Sequence, residues 1–229
     1  MKHKEPSVSV IAIDGPVASG KTSVGRRLAQ ALNFRFLDTG VLYRAVTLAA
    51  HTHGLNLQDA TALADLARTL KVSVQIDTQD RDAILIDGVD VTAALRSSAV
   101  EQQVSLVSSH SKLRLALIDR QREFADSGKV VMVGRDIGTT ILPNADLKVF
   151  LRASPEERAR RRTRELSSEG KGVSHSHEQV LRDLHQRDSQ DKKRVASPLL
   201  QPNDAYVIDT EKIGVDGIVN QILKLCEEG

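Results

Sequence analysis

Apolar residues along the chain come in short β-branched runs separated by longer segments of mixed character. Val8, Val10, Ile11 and Ile13 form the first run, ending at Asp14-Gly15, which suits a strand buried on both faces of a parallel sheet. The segment from Lys21 to Leu32 places Val24, Leu28 and Leu32 at four-residue spacing, with Arg26, Arg27 and Gln30 elsewhere. That is the pattern of an amphipathic helix. Further β-like runs fall at Phe34 to Leu37, Lys129 to Val133, Leu147 to Leu151 and Tyr206 to Ile208. Helical patterns lie between them, including one long pattern from about Ala99 to Ala125 and a C-terminal one from Val215 to Leu225. Alternation of this kind predicts an α/β fold with helices on both faces of a parallel sheet.

Two regions break the alternation. VSVQID at 72–77 and AILID at 83–87 flank the polar TQDRD and predict an antiparallel hairpin, with VDVT as a third strand. Residues 66–105 are therefore expected to form a small β-containing insert clipped onto the main sheet. The second region, Ser154 to Arg194, is dense in charge and carries Arg158, Arg160, Arg161, Arg162 and Arg164. Its SSEGKGVSHSH stretch is expected to be a mobile connection between two helices.

With 229 residues, 40% of them hydrophobic, the chain can bury one sizeable core, so one domain with a small insert is expected. The 32 Lys and Arg are offset by 30 Asp and Glu, leaving a formal charge of +2. No global field then marks a nucleic-acid binder, and any anion site must be local. The single cysteine, Cys226, has no internal disulfide partner, which fits a reducing compartment. The N-terminal apolar run is short and stops at Asp14, so neither a secretory signal nor a membrane span is expected, and a cytoplasmic address is.

The candidate chemistry starts at Gly15-Pro16-Val17-Ala18-Ser19-Gly20-Lys21-Thr22, which satisfies G-x-x-x-x-G-K-[ST] between a strand and a helix. Glycine lets the backbone turn so that successive N–H groups point into a phosphate-sized cavity at the positive end of the following helix. Lys21 can then reach β and γ phosphates, and the Thr22 hydroxyl is placed to ligate Mg²⁺. The expected anion is a nucleoside triphosphate. The loop alone leaves the fate of the γ-phosphoryl group open among water, a small acceptor and a conformational switch.

Three further clusters bear on that choice. LDTGVLYRA at 37–45 brings the hydroxyl of Thr39, the ring of Tyr43 and the cation of Arg44 within a few positions. GRDIGTTILP at 134–143 sets Arg135 and Asp136 after the apolar VVMV, at the strand end where ligands collect in open parallel sheets. RDSQDKKRVASPL at 187–199 puts Arg187, Asp191 and Arg194 on one face if it is helical. On residue chemistry alone each of these equally suits a solvated surface or a local ion pair.

As an ordered set these segments resemble the bacterial cytidylate kinases, P-loop nucleoside monophosphate kinases acting on CMP and dCMP. IAIDGPVASGKTSVGRRLA is similar to the family's donor loop and first helix, and LDTGVLYRA to its D-[ST]-G-x-x-Y-R acceptor segment. GRDIGT is similar to G-R-D-[IM]-G-T, and RDSQDKKRVASPL to R-D-x-x-D-x-x-R-x-x-[AS]-P-L. The resemblance implies a P-loop NTPase core of five parallel strands, adenylate-kinase-like, in residues 6–65 and 106–229 of a single kinase domain spanning 1–229. It makes 66–105 the CMP-binding insert and 154–175 an arginine-rich helical lid.

Carried across by position, Thr39, Tyr43, Arg44, Ser105, Arg114, Arg135, Asp136, Arg187, Asp191 and Arg194 match family positions around the acceptor. Ser105, Asp136 and Asp191 would read cytosine or sugar, while Arg44, Arg135 and Arg194 would face phosphate. Arg96 is a further candidate. Lys21, Arg135, Arg158 and Arg162 would be catalytic, the last two closing over the donor. ATP would be the phosphoryl donor and Mg²⁺ the metal, with CMP or dCMP as the partner substrates and a monomer as the working form. The chain departs from the family in one place: Val133 stands where an acidic residue usually precedes the G-R-D glycine, which leaves Thr22 with water, or Asp14, for the metal.

Two other readings fit part of the chain. One is a P-loop kinase for a different small acceptor, which the acceptor arginines alone do not exclude. The other is a nucleotide-dependent switch or nucleic-acid-binding ATPase, which the arginine run supports and the 3% aromatic content opposes.

Overall fold

Val10–Asp14 forms strand β1, in which Ile11, Ala12 and Ile13 have no exposed surface. The computed structural model describes residues 8–76, 82–168 and 176–228. After β1 come α1 (Lys21–Leu32), β2 (Arg35–Asp38), α2 (Gly40–Thr52), α3 (Ala60–Thr69), β3 (Val72–Ile76), β4 (Asp82–Ile86) and β5 (Val89–Asp90). A 3-10 turn at Ala94–Arg96 leads to α4 (Ser98–Val107), α5 (Ser111–Asp126) and β6 (Val130–Gly134). A π turn at Ile137–Ile141 precedes β7 (Leu147–Arg152), α6 (Pro155–Ser168), α7 (His177–Lys193), β8 (Tyr206–Asp209) and α8 (Val215–Glu228). Contacts group the chain into two units, Met1–Asp38 with Phe124–Gly229, and Thr39–Glu123.

In the first unit five parallel strands lie in the order β2-β6-β1-β7-β8, as the alternating pattern predicts. Central β1 pairs with both β6 and β7, so Asp14 lies opposite Gly134 and Phe150. On the next strand pair Asp38 lies opposite Val133. The C-terminal ends of β1, β2 and β6 therefore sit side by side, at the edge of the sheet where chain order reverses and ligands collect. Ile11, Ile13, Val131, Val133, Val149 and Leu151 pack against Val24 and Leu28 of α1 and Ile222 of α8. Each such aliphatic side chain contributes roughly 1.5–3 kcal/mol by leaving water. Helix α1 rides close on the sheet: a Cβ at Gly25 would lie 2.5 Å from Val133 Cγ1 and 2.9 Å from Phe36 Cε2.

Helices α6 and α7 belong to this unit. Ser154 accepts from the Glu157 amide at 3.3 Å, and Pro155 starts α6 where its missing N–H costs nothing. Ser176 accepts from the Gln179 amide at 3.2 Å and starts α7. Ala159, Val180 and Leu184 join the two helices in a small cluster that Val17 of the donor loop touches. Of the expected lid, 154–175, and of the expected connection at 167–177, residues 169–175 lie outside the described residues. Among the described residues no helix is long and apolar enough to cross a membrane.

The second unit is built on Val46, Ala50, Leu63, Ala67, Leu95, Leu113 and Leu117. The hairpin forms where the sequence places it, β3 pairing antiparallel with β4 from Val72–Ile86 to Ile76–Asp82, and β5 adds a short third strand. Residues 77–81, between β3 and β4 in sequence, lie outside the described residues. The segment that packs with this hairpin, Thr39–Glu123, extends on both sides of the expected 66–105. One expectation is corrected. The single helical pattern from Ala99 to Ala125 is two helices, α4 and α5, interrupted at 108–110. The Ser108 and Ser109 hydroxyls donate to the carbonyls of Ser105 and Leu106, and His110 Nε2 meets the Leu57 carbonyl at 2.8 Å. These local bonds compete with the helical ladder and end it.

Candidate functional site

The loop from Gly15 to Thr22 joins β1 to α1, with Lys21 and Thr22 already in the first turn of the helix. Gly15 is required by space, since a Cβ there would lie 2.3 Å from the Leu151 carbonyl oxygen at the end of β7. Ala18 at φ 60 and Gly20 at φ 93 take left-handed backbone, which coils the loop tightly around its own centre. Pro16 and Val17 complete the turn. Lys21 is buried, its Nζ donating to the Pro16 carbonyl at 2.7 Å and to Ser19 Oγ at 3.4 Å. Burial pushes the Lys21 ammonium down to about 7; the charge of Arg135 adds to this, while Asp38, Asp14 and Asp191 pull it back up. A cation so stripped of water, with a second cation acting on it, is suited to receive the tail of a polyanion.

The Thr22 hydroxyl donates to Asp38 Oδ2 at 2.7 Å. Hydroxyl and carboxylate oxygens are the hard donors that Mg²⁺ prefers, so this pair fits the metal of a bound nucleotide. No cluster of three or more His, Cys, Asp or Glu capable of holding a metal occurs among the described residues. Asp14 does different work: Oδ1 and Oδ2 accept from the amides of Ile137 and Gly138 at 2.8 and 2.7 Å, tying β1 to the π turn after β6. Its burial drives the carboxyl up to about 6 despite those two amides, which lower it. Val133 is fully buried against α1 and offers the metal nothing.

Arg135 follows β6 directly, and its Nε pairs with Asp191 Oδ2 on α7. Arg194, just past the end of α7, reaches the other oxygen of Asp191 at 3.3 Å. The structure thus assembles cation, anion, cation from segments far apart in sequence, and both Asp191 oxygens are engaged by guanidinium groups. Burial works against the Arg135 charge, but Asp191, by charge and hydrogen bond, together with the charges of Asp38 and Asp136, outweighs it and holds the guanidinium above its usual value. Asp136 is buried at the start of the π turn, its carbonyl accepting from the Thr140 and Ile141 amides at 2.9 and 3.1 Å. Arg187 is half-buried one helical turn before Asp191.

The arginines of α6 divide in role. Arg158 is buried and donates to the Val17 carbonyl of the donor loop at 3.1 Å, and both of its terminal nitrogens reach Asp188 of α7. Arg162 instead faces its own helix, Nη1 meeting Glu165 Oε2 at 2.7 Å. Arg161, which sequence reasoning did not single out, donates to the Thr210 hydroxyl at 2.9 Å and to its carbonyl at 2.5 Å. Thr210 in turn donates to the Ser19 carbonyl at 3.3 Å, and Arg161 Nη1 lies 3.9 Å from where a Gly20 Cβ would be. The sequence signal for Arg161 is weak, because only helical phase separates it from its four arginine neighbours.

The remaining candidates belong to the second unit. Thr39 is buried at the start of α2, and Tyr43, also buried, has the Arg114 guanidinium 5.1 Å from its ring centre. Arg114 further donates to the Ser108 carbonyl at 3.0 Å. Arg44 donates to Glu101 Oε1 at 2.6 Å, a pairing between α2 and α4. Ser105 is half-buried on α4, and Arg96 is exposed at the end of the 3-10 turn. Tyr43, Arg114, Arg44 and Ser105 thus come from three helices of one unit.

The chain is 43% identical over 219 residues to the cytidylate kinase of Desulforamulus reducens, covering 96% of this chain and 97% of the relative. It is 39% identical over 218 residues to that of Bacillus subtilis, covering 95% and 96%. An uncharacterized protein from Eubacterium ventriosum shares the fold alone, at a TM-score of 0.52 and 14% identity over 96% of this chain and 99% of that one. The family model described as Cytidylate kinase matches residues 11–228, a span containing the donor loop, the GRD turn and the α7 cluster. The chain belongs to the cytidylate kinase family.

Proposed function

We propose that the protein transfers the γ-phosphoryl group of ATP to CMP and dCMP, giving CDP and dCDP. One observation carries the reading within the first unit: the donor loop leaves β1 just after Asp14 and Arg135 leaves β6 just after its register partner Gly134, so Lys21 and the Arg135–Asp191–Arg194 cluster are set out from the same end of neighbouring strands. Two cationic centres held this near each other are unfavourable by themselves and become favourable when two phosphate chains arrive between them. Phosphoryl transfer asks for that arrangement, since positioning and charge neutralisation do most of its catalysis.

In this reading the donor-loop amides and Lys21 hold the ATP phosphates, Arg158 and Arg162 act on the donor side, and Arg44, Arg135 and Arg194 hold the acceptor phosphate. Thr39, Tyr43, Arg114 and Arg187 line the acceptor, and Ser105, Asp136 and Asp191 distinguish cytosine and its sugar, because a carboxylate accepts from an exocyclic amino group that uracil lacks. Mg²⁺ held through Thr22 would neutralise charge across the donor phosphates. No general base is required, because the attacking phosphate oxygen of CMP is already ionised at neutral pH. The Asp191 carboxylate, bridging two guanidinium groups, keeps them in place until phosphate competes for them. The protein is proposed to work as a cytoplasmic monomer, in keeping with its lone buried thiol, Cys226.

The test is ADP release with CMP, dCMP, UMP, AMP and shikimate as acceptors. The reading expects CMP and dCMP to be turned over far faster than the rest. Equal turnover of UMP and CMP would remove the proposed role of the carboxylates, and turnover of shikimate alone would replace the acceptor class.

A further inference from the structure

The carboxylate bonded to the Thr22 hydroxyl, Asp38, opens the acceptor segment but has been given no role so far. We propose that Asp38 is a positioning residue for the divalent cation of the bound nucleotide, accepting the Thr22 proton so that the Thr22 oxygen presents its lone pairs to the metal. The inference rests on the donor-loop reading above.

A threonine hydroxyl carries one proton and two lone pairs. With the proton directed to Asp38 Oδ2 at 2.7 Å, the lone pairs point elsewhere and the oxygen gains basicity from the neighbouring negative charge. The sheet explains why the role falls to Asp38. Asp38 and Val133 are register partners at the C-terminal ends of β2 and β6, and Val133 is spent in the core beneath Gly25. Three carboxylates act on Lys21 from nearby: Asp38, Asp14 and Asp191. Asp14 is committed to two backbone amides and Asp191 to two guanidinium groups. Asp38 alone of the three is bonded to the donor-loop hydroxyl.

Binding of Mn²⁺ to the complex of the full chain with ADP, followed by the EPR signal of free Mn²⁺, tests this directly. Asp38→Ala is expected to weaken Mn²⁺ by about tenfold or more, the usual effect of losing a group that orients a metal ligand. Asp38→Asn, which keeps an acceptor for the Thr22 proton but not the charge, should fall between Ala and wild type. ADP affinity in EDTA and CMP affinity should stay unchanged in both variants, with thermal melting used to confirm folding. Equal Mn²⁺ affinity in all three proteins would overturn the inference while leaving the donor loop standing. A loss of CMP affinity with Mn²⁺ affinity intact would overturn it by placing Asp38 with the acceptor. Failure of the wild type to bind ADP in EDTA would overturn the donor-loop reading and the inference together.

Discussion

Arg158 and Asp188 face each other across α6 and α7 in a two-pronged ion pair, Nη1 to Oδ1 at 3.1 Å and Nη2 to Oδ2 at 2.5 Å. The Arg158 side chain is 3% exposed and that of Asp188 15%. Because Arg158 also donates to the Val17 carbonyl, the pair ties the charged helices to the donor loop. Removing one partner of a buried pair leaves an uncompensated charge. Asp188→Ala should therefore cost about 3 kcal/mol of stability in urea denaturation. A loss under 0.5 kcal/mol would show that solvent screens the pair.

Lys21 separates function from stability. Its ammonium is buried and depressed to about 7, so its charge is a burden to the folded protein without a phosphate ligand. Lys21→Met should then be at least as stable as the wild type at pH 6, yet lower kcat by roughly 100-fold or more, as expected for losing a charge aimed at the transferring group. Near-normal turnover in this variant would contradict the donor-loop assignment.

Gly25 carries no chemistry, and its constraint is packing. Since a Cβ would approach Val133 and Phe36 to 2.5 and 2.9 Å, Gly25→Val must lift α1 from the sheet. A loss of about 1–3 kcal/mol is expected from thermal or urea unfolding, and wild-type stability in this variant would mean that the helix is free to shift.

Asp14 predicts a pH dependence with a definite sign. Its folded-state value, about 6, lies above the ordinary 3.8, so the folded protein holds this proton longer than the unfolded chain. That contribution is fully present below about pH 3.8 and declines as pH rises through 6. The stability of the wild type minus that of Asp14→Asn should accordingly fall between pH 4 and 6, by up to about 3 kcal/mol. A difference that stays flat or rises over that range would show Asp14 ionised as in an ordinary carboxylate.

Much of this architecture is legible along the chain, and the illegible parts share a physical cause. The β1 run and the Val24, Leu28, Leu32 stripe mark strand and helix because burial acts on neighbours in sequence at a fixed period. The donor loop is legible because its glycines and Lys21 are contiguous. The division of the 99–125 pattern is not, since apolar spacing continues through both helices and the break depends on serine hydroxyls at 108 and 109 turning back on the backbone. The bridge from Arg135 through Asp191 to Arg194 joins residues 56 positions apart, which no local period encodes. Arg161 is hidden for a third reason. In a run of like charges, only the three-dimensional position of Thr210 distinguishes it.

The central claim is that cationic centres around Lys21 and Arg135 bring donor and acceptor phosphates together. Phosphorus-31 NMR of the protein with ATP, Mg²⁺ and CMP measures this most directly. The account predicts that each ADP formed is matched by one CDP, with little inorganic phosphate. ADP accumulating with inorganic phosphate and no CDP would contradict it.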